Sequence, residues 1–96
     1  MFRKKSSREL ELPPMATSNG QSFEVLRVWT ASGSQEVVLK TTWKDPATWG
    51  LMLADIARHA ANAYANEGHD RAEVLAQIRQ LMDAEFSDPT DVPIQI

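Results

Sequence analysis

The chain reads as an α+β fold, a β-hairpin followed by an antiparallel helical hairpin (ββαα), behind a flexible N-terminal arm. Three observations lead there. From Phe23 to Thr42 two runs rich in β-branched and aromatic residues flank a short polar connection that contains a glycine. From Asp45 to Phe86 the apolar residues recur at helical spacing, in two segments parted at Gly68. Before Phe23 there is no period of either kind. These breaks divide the sequence into an arm over 1–21, a single α+β domain over 22–88 and a tail over 89–96.

The arm holds Arg3, Lys4, Lys5 and Arg8, then Pro13-Pro14 and a Thr17-Ser18-Asn19-Gly20 cluster, a composition that supports neither helix nor strand. Its charge sets it apart. The first eight residues carry +4, and since the whole chain is −3, the rest carries −7. Nucleic acid is bound through clustered Lys and Arg, so an acidic body argues against a nucleic-acid partner along the folded part and leaves only the arm for that role.

Phe23-Glu24-Val25-Leu26-Arg27-Val28-Trp29-Thr30 is the first expected strand and Glu36-Val37-Val38-Leu39-Lys40-Thr41-Thr42 the second. A helix over 23–29 is the main competitor, and the valines and the terminal aromatic count against it. Ala31-Ser32-Gly33-Ser34-Gln35 joins the strands, with Gly33 available for positive φ, so the pair closes as an antiparallel hairpin. Strand alternation groups Leu26, Val28 and Thr30 on one face and Val25, Arg27 and Trp29 on the other.

The first helix has Asp45 as its expected N-cap and Pro46 at the first helical position, where a missing N–H costs nothing. Trp49, Met52, Leu53, Ile56, Ala57, Ala60, Ala63 and Tyr64 form its wide apolar stripe, and Gly68 ends it with a left-handed residue. The run of small side chains at Ala60, Ala61, Ala63 and Ala65 allows another backbone to come close. The second helix starts at Asp70, three residues before Glu73, the spacing of a capping box. Its apolar face is Val74, Leu75, Ile78, Leu81, Met82 and Phe86. A link of few residues makes the two helices antiparallel neighbours, with apolar surface left over.

Ser87-Asp88-Pro89-Thr90-Asp91 stops the second helix, and Val92 to Ile96 suits an extended segment that Pro93 confines to an edge. The ordered part is then roughly 65 to 70 residues, a size at which one core usually needs a metal, a disulfide or a partner. The 96 residues include no cysteine. Self-association, most simply a homodimer, is the least forced remedy, either by joining two hairpins into a four-stranded sheet or by packing the Ala-rich helix end across a two-fold axis.

Leu26-Arg27-Val28-Trp29, Asp45-Pro46 with Trp49-Gly50, Leu53-Ala54-Asp55 with Arg58-His59, and Ala63-Tyr64 together resemble a family of small bacterial proteins described only as a domain of unknown function. The resemblance spans about Phe23 to Asp91. It implies a compact α+β protein, mainly alphaproteobacterial, and carries no reaction, ligand or site residue with it.

The chemistry-bearing residues offer candidates without a motif. Asp55 and His59 lie four apart on one helical face, a spacing that serves a divalent metal when further ligands converge. Glu67, His69 and Asp70 are two to three turns away, on the order of 12 to 15 Å, too far to share one ion with them in one chain. The plainer reading is a side-chain contact between Asp55 and His59, with Arg58 at the helix rim. Trp29, Trp43 and Trp49 are aromatic-cage candidates, but large rings more often supply buried area in so small a domain. Arg27 is the odd polar residue of its strand, and if buried it needs a carboxylate, Asp55 or Glu36. A phosphate loop, a nucleophile elbow and a His-Glu-x-x-His zinc motif are missing from the sequence, and Ser32 and Ser34 are turn residues.

The leading expectation is therefore a non-catalytic interaction or accessory protein, homodimeric, without cofactor or metal, and with an unidentified protein partner. Its expected place is the cytoplasm: the sequence contains no apolar run long enough to span a membrane and no apolar segment after the basic start. The competing expectations are a small-molecule site or minor enzyme built from Arg27, Trp29, Asp55, Arg58 and His59, and a nucleic-acid accessory protein acting through the basic arm.

Overall fold

A computed structural model describes residues 6–90 of the chain. The basic residues Arg3, Lys4 and Lys5, and the extended segment expected over 92–96, lie outside the described residues. The element order is α1 (Met15–Ser18), β1 (Leu26–Ala31), β2 (Ser34–Leu39), α2 (Thr48–Asn66) and α3 (Arg71–Ser87). This is the expected α+β arrangement, two antiparallel strands followed by a helical hairpin, with one helical turn in front. The chain divides after Lys44 into two compact units, the ribbon and the helix pair.

In the first unit, α1 occupies a stretch expected to hold neither helix nor strand. Pro13 and Pro14 explain it, because their fixed φ favours a first turn that needs no N–H of theirs. The Ser22 hydroxyl then donates to the Met15 and Asn19 carbonyls, and Asn19 Oδ1 accepts from the Gln21 N–H.

The ribbon is shorter at its start and tighter at its turn than the sequence implies. Leu26 pairs with Leu39, Val28 with Val37 and Ala31 with Ser34, so the loop is Ser32-Gly33 alone. Both loop residues have positive φ, 50° and 79°, the geometry whose twist matches that of the flanking strands. The Thr30 hydroxyl donates to the Ser34 carbonyl across the loop mouth. One further ladder bond, from the Lys40 N–H to the Val25 carbonyl, extends the pairing below Leu39. The chain then leaves the ribbon at Thr42, whose φ is 69°. The Trp43 N–H reaches the Thr41 carbonyl across it, a tight turn that residues with a branched Cβ adopt only under strain.

The second unit starts with a tight turn. Asp45 Oδ1 accepts from the Ala47 N–H, and the N–H groups of Thr48, Trp49 and Gly50 each bond three residues back. That tight i to i−3 pattern precedes regular helix, so α2 begins two residues after Pro46, at Thr48. Its end follows the expectation closely. Gly68 has a φ of 102°, and the His69 N–H returns to the Tyr64 carbonyl while the Gly68 N–H returns to Ala65, as in a Schellman ending. Asp70 caps α3 through Oδ1, which accepts from the N–H groups of Ala72 and Glu73 at 3.0 and 3.3 Å.

Packing within this unit rests on small residues. Ala57 and Ala61, one turn apart on α2, and Val74 on α3 are the buried apolar residues among those described. Ala61 has no accessible surface at all. The bare methyls let α3 lie close, and the Arg71 guanidinium donates to Asn62 Oδ1 where the helices leave their link. Of the Ala-rich end of α2, Ala61 alone is buried, while Ala60 and Ala65 are half-buried and Ala63 is exposed.

Candidate functional site

Arg27 and Trp29 sit on the same face of the ribbon, as their spacing in β1 dictates. Within its own unit the carboxylate that Arg27 finds is Glu24 and not Glu36. Its Nη2 lies 2.9 Å from Glu24, in the extended approach to the strand, and the guanidinium side chain stays 38% exposed. Partial exposure is the reason no distant partner is required: water still solvates the charge. Trp29 is also more open than core packing implies, at 38%, because a two-stranded ribbon has no second layer of its own above that face. The Arg8 guanidinium stands 6.0 Å from the centre of its ring, and Lys40 lies 4.8 Å from that of Phe23. One of the four basic residues of the arm is therefore engaged with an aromatic face.

Asp55, Arg58 and His59 follow one another along exposed α2. Asp55 Oδ2 and His59 Nε2 are 3.4 Å apart, with both side chains mostly in solvent. This is the plain side-chain contact allowed for by the spacing. Among the described residues no group of three or more His, Asp or Glu side chains is placed to hold a metal ion. Trp43 and Trp49 are half-buried.

A concave feature lies elsewhere, along α3. Tyr64 of α2 and Val74, Ile78, Leu81 and Met82 of α3, together with His69, Gln77 and Glu85, line an open groove of about 520 Å³. Tyr64 and His69 meet edge to face with ring centres 5.3 Å apart. The groove exists because Val74 turns in against α2 while Leu81, a heptad later, is 67% exposed. Leu53 and Ile56, on the same stripe of α2 as Tyr64, are exposed as well. Glu85 is a further lining residue. Its carboxylate accepts from the Thr90 N–H and hydroxyl, and these bonds, the backbone one foremost, hold its pKa below the ordinary value. The Glu24 to Arg27 pair and the Glu85 to Thr90 clasp left no period in the sequence, whereas the groove is the surplus of the Val74 to Phe86 stripe.

A family model described as domain of unknown function (DUF5076) matches residues 9–90, which takes in every strand and helix described above. The chain belongs to the DUF5076 family. A solved structure similar to this DUF5076 chain is that of a candidate pyruvate dehydrogenase from the photosynthetic bacterium Rhodopseudomonas palustrus CGA009. The two are 35% identical, with a TM-score of 0.76 over 97% of each chain. Among proteins with curated descriptions, none matches. The DUF5076 match agrees with the resemblance carried by residues 26–64 and covers more of the N-terminal stretch than that resemblance did.

Proposed function

We propose that this DUF5076 protein is a non-catalytic interaction protein that works as a homodimer in the bacterial cytoplasm. One observation carries the reading: the burial of apolar side chains is far from complete. Among the described residues the buried apolar ones are two alanines and a valine, while Val28, Val37, Val38, Leu39, Leu53, Ile56, Leu81 and Phe86 are each more than 40% exposed. A soluble monomer scatters single apolar residues over its surface, but contiguous apolar faces on both a ribbon and a helix pair are the mark of surfaces meant to be covered.

The compartment is supported by the sequence, which has no cysteine to oxidise, and no helix among the described residues is long and apolar enough to cross a membrane. The bacterial setting is supported by the Rhodopseudomonas relative. The α3 groove supports recognition by packing, since its walls are mostly apolar. Sedimentation and light scattering over about 1 to 100 μM test the proposal, because self-association responds to concentration by mass action. A two-chain mass that falls toward one chain on dilution is the expected result. A single-chain mass throughout overturns it.

A further inference from the structure

The ribbon has an edge whose chemistry repeats when it is turned upon itself. The Lys40 to Val25 bond fixes which residues of β2 spend their backbone groups on β1. In an antiparallel ladder such pairs alternate, so Ser34, Glu36, Val38 and Lys40 face β1, while Gln35, Val37 and Leu39 point their N–H and C=O groups to the open side. All of these residues are exposed. Among the described residues the sheet stops there, at two strands.

Resting on the homodimer reading, we propose that β2 is the dimer contact: it pairs antiparallel with β2 of a second copy about a two-fold axis at Val38. Around that centre the sequence Glu36-Val37-Val38-Leu39-Lys40 is self-complementary. Glu36 faces Lys40 of the second copy at both ends, Val37 faces Leu39, and Val38 faces Val38. The pairs Val37 with Leu39 are then the hydrogen-bonded ones, made by the groups that point outward, and Glu36 with Lys40 falls at a non-bonded pair, where side chains approach more closely.

The neighbouring register of the same parity, centred on Val37, is poorer. It sets Glu36 against Val38 and Lys40 against Ser34, and leaves every charge without its opposite. The β1 edge is poorer too. It carries one charged residue, Arg27, which already has Glu24 at 2.9 Å, so a two-fold pairing there offers it no second carboxylate.

The chosen register also extends the apolar face. Leu26 and Val28 share that face with Val37 and Leu39, and the two-fold axis continues it into the same four residues of the second copy. A marginal two-stranded ribbon becomes a four-stranded sheet with its inner edges closed.

The test is a charge exchange read by sedimentation equilibrium on the full chain, with far-UV circular dichroism for each variant. E36K sets lysine against lysine at both ends, and K40E sets glutamate against glutamate, so each alone weakens dimerisation, by roughly tenfold for two cross-strand pairs changed together. An equimolar mixture of E36K and K40E restores attraction at both ends and dimerises within about threefold of the wild type, as does the doubly exchanged E36K/K40E chain. A variant that had merely misfolded is not rescued by mixing. Single variants that dimerise like the wild type, or a mixture that stays as weak as its components, overturn the β2 contact while leaving the homodimer reading in place. A wild-type chain that is monomeric throughout overturns both.

Discussion

Replacing Ala61 by leucine tests whether the close approach of α3 to α2 rests on bare methyl groups. Ala61 has no accessible surface, so three added carbons have nowhere to go unless the helices separate or neighbouring side chains leave their rotamers. Overpacking of this kind costs about 1–3 kcal/mol, and the change in helix propensity adds only about 0.2 kcal/mol. The same substitution at Ala63, two residues on and exposed, carries the propensity cost and none of the crowding. Thermal melts of the two variants at one protein concentration separate these contributions, since dilution alone shifts a dimer. A loss of about 2 kcal/mol lowers the midpoint by roughly 10 °C in a domain of this size, while Ala63→Leu stays within about 0.5 kcal/mol of the wild type. Midpoints that agree within about 2 °C refute the reasoning, because Ala61 is then not where the helices touch.

Gly68→Ala puts a Cβ on a residue with a φ of 102°. Nothing lies within 4 Å of that position, so the expected loss of about 1–2 kcal/mol in a urea melt reports backbone strain and not a clash. Asp70→Ala removes the acceptor for the Ala72 and Glu73 N–H groups and costs about 1 kcal/mol in the same assay. The Glu85 clasp predicts a pH response. Because its folded pKa is depressed, the contact with Thr90 is present above the ordinary carboxylate value and is lost as pH falls through the lower folded one. A carboxyl-carbon NMR titration of Glu85 should show a midpoint below 4.5 that the Thr90 amide shares, and an ordinary midpoint contradicts the clasp.

What could be read from the sequence was whatever chain-local rules determine. The start of α3 at Asp70 and the end of α2 at Gly68 follow from single residues with one strong preference each, so they were legible. Boundaries decided by several weak preferences moved. Asp45 does cap the chain before α2, but a tight turn lies between it and regular helix, and no residue type distinguishes that turn from helix. The hairpin turn shortens to Ser32-Gly33 because pairing Ala31 with Ser34 and Thr30 with Gln35 brings three residues of the expected five-residue loop into the ladder, and serine accepts a positive φ that propensity assigns to glycine. Side-chain partners were least legible. Arg27 calls for Asp55 or Glu36 only if its face is buried, and with its side chain 38% exposed it pairs with the nearby Glu24, a partner that strand alternation does not single out. Trp29 suits a core by its size yet stays 38% exposed, because size favours burial only where a second layer exists to bury against.

That missing layer also ties the ribbon's folding to its association. The residues buried among those described, Ala57, Ala61 and Val74, all belong to the helix pair, so the ribbon unit has no buried side chain among its described residues. A two-stranded hairpin without a covered face is marginal in water, and the favourable turn at Ser32-Gly33 supplies direction more than stability. Whatever covers Leu26, Val28, Val37 and Leu39 must therefore contribute to keeping the strands paired. Pairing at β2 shares backbone bonds with a second copy and doubles the apolar face, which gives later packing more area to act on. On the proposed β2 contact, strand order and self-association are one equilibrium, and E36K or K40E is expected to loosen the ribbon through the loss of its neighbour, leaving the turn and the helix caps untouched.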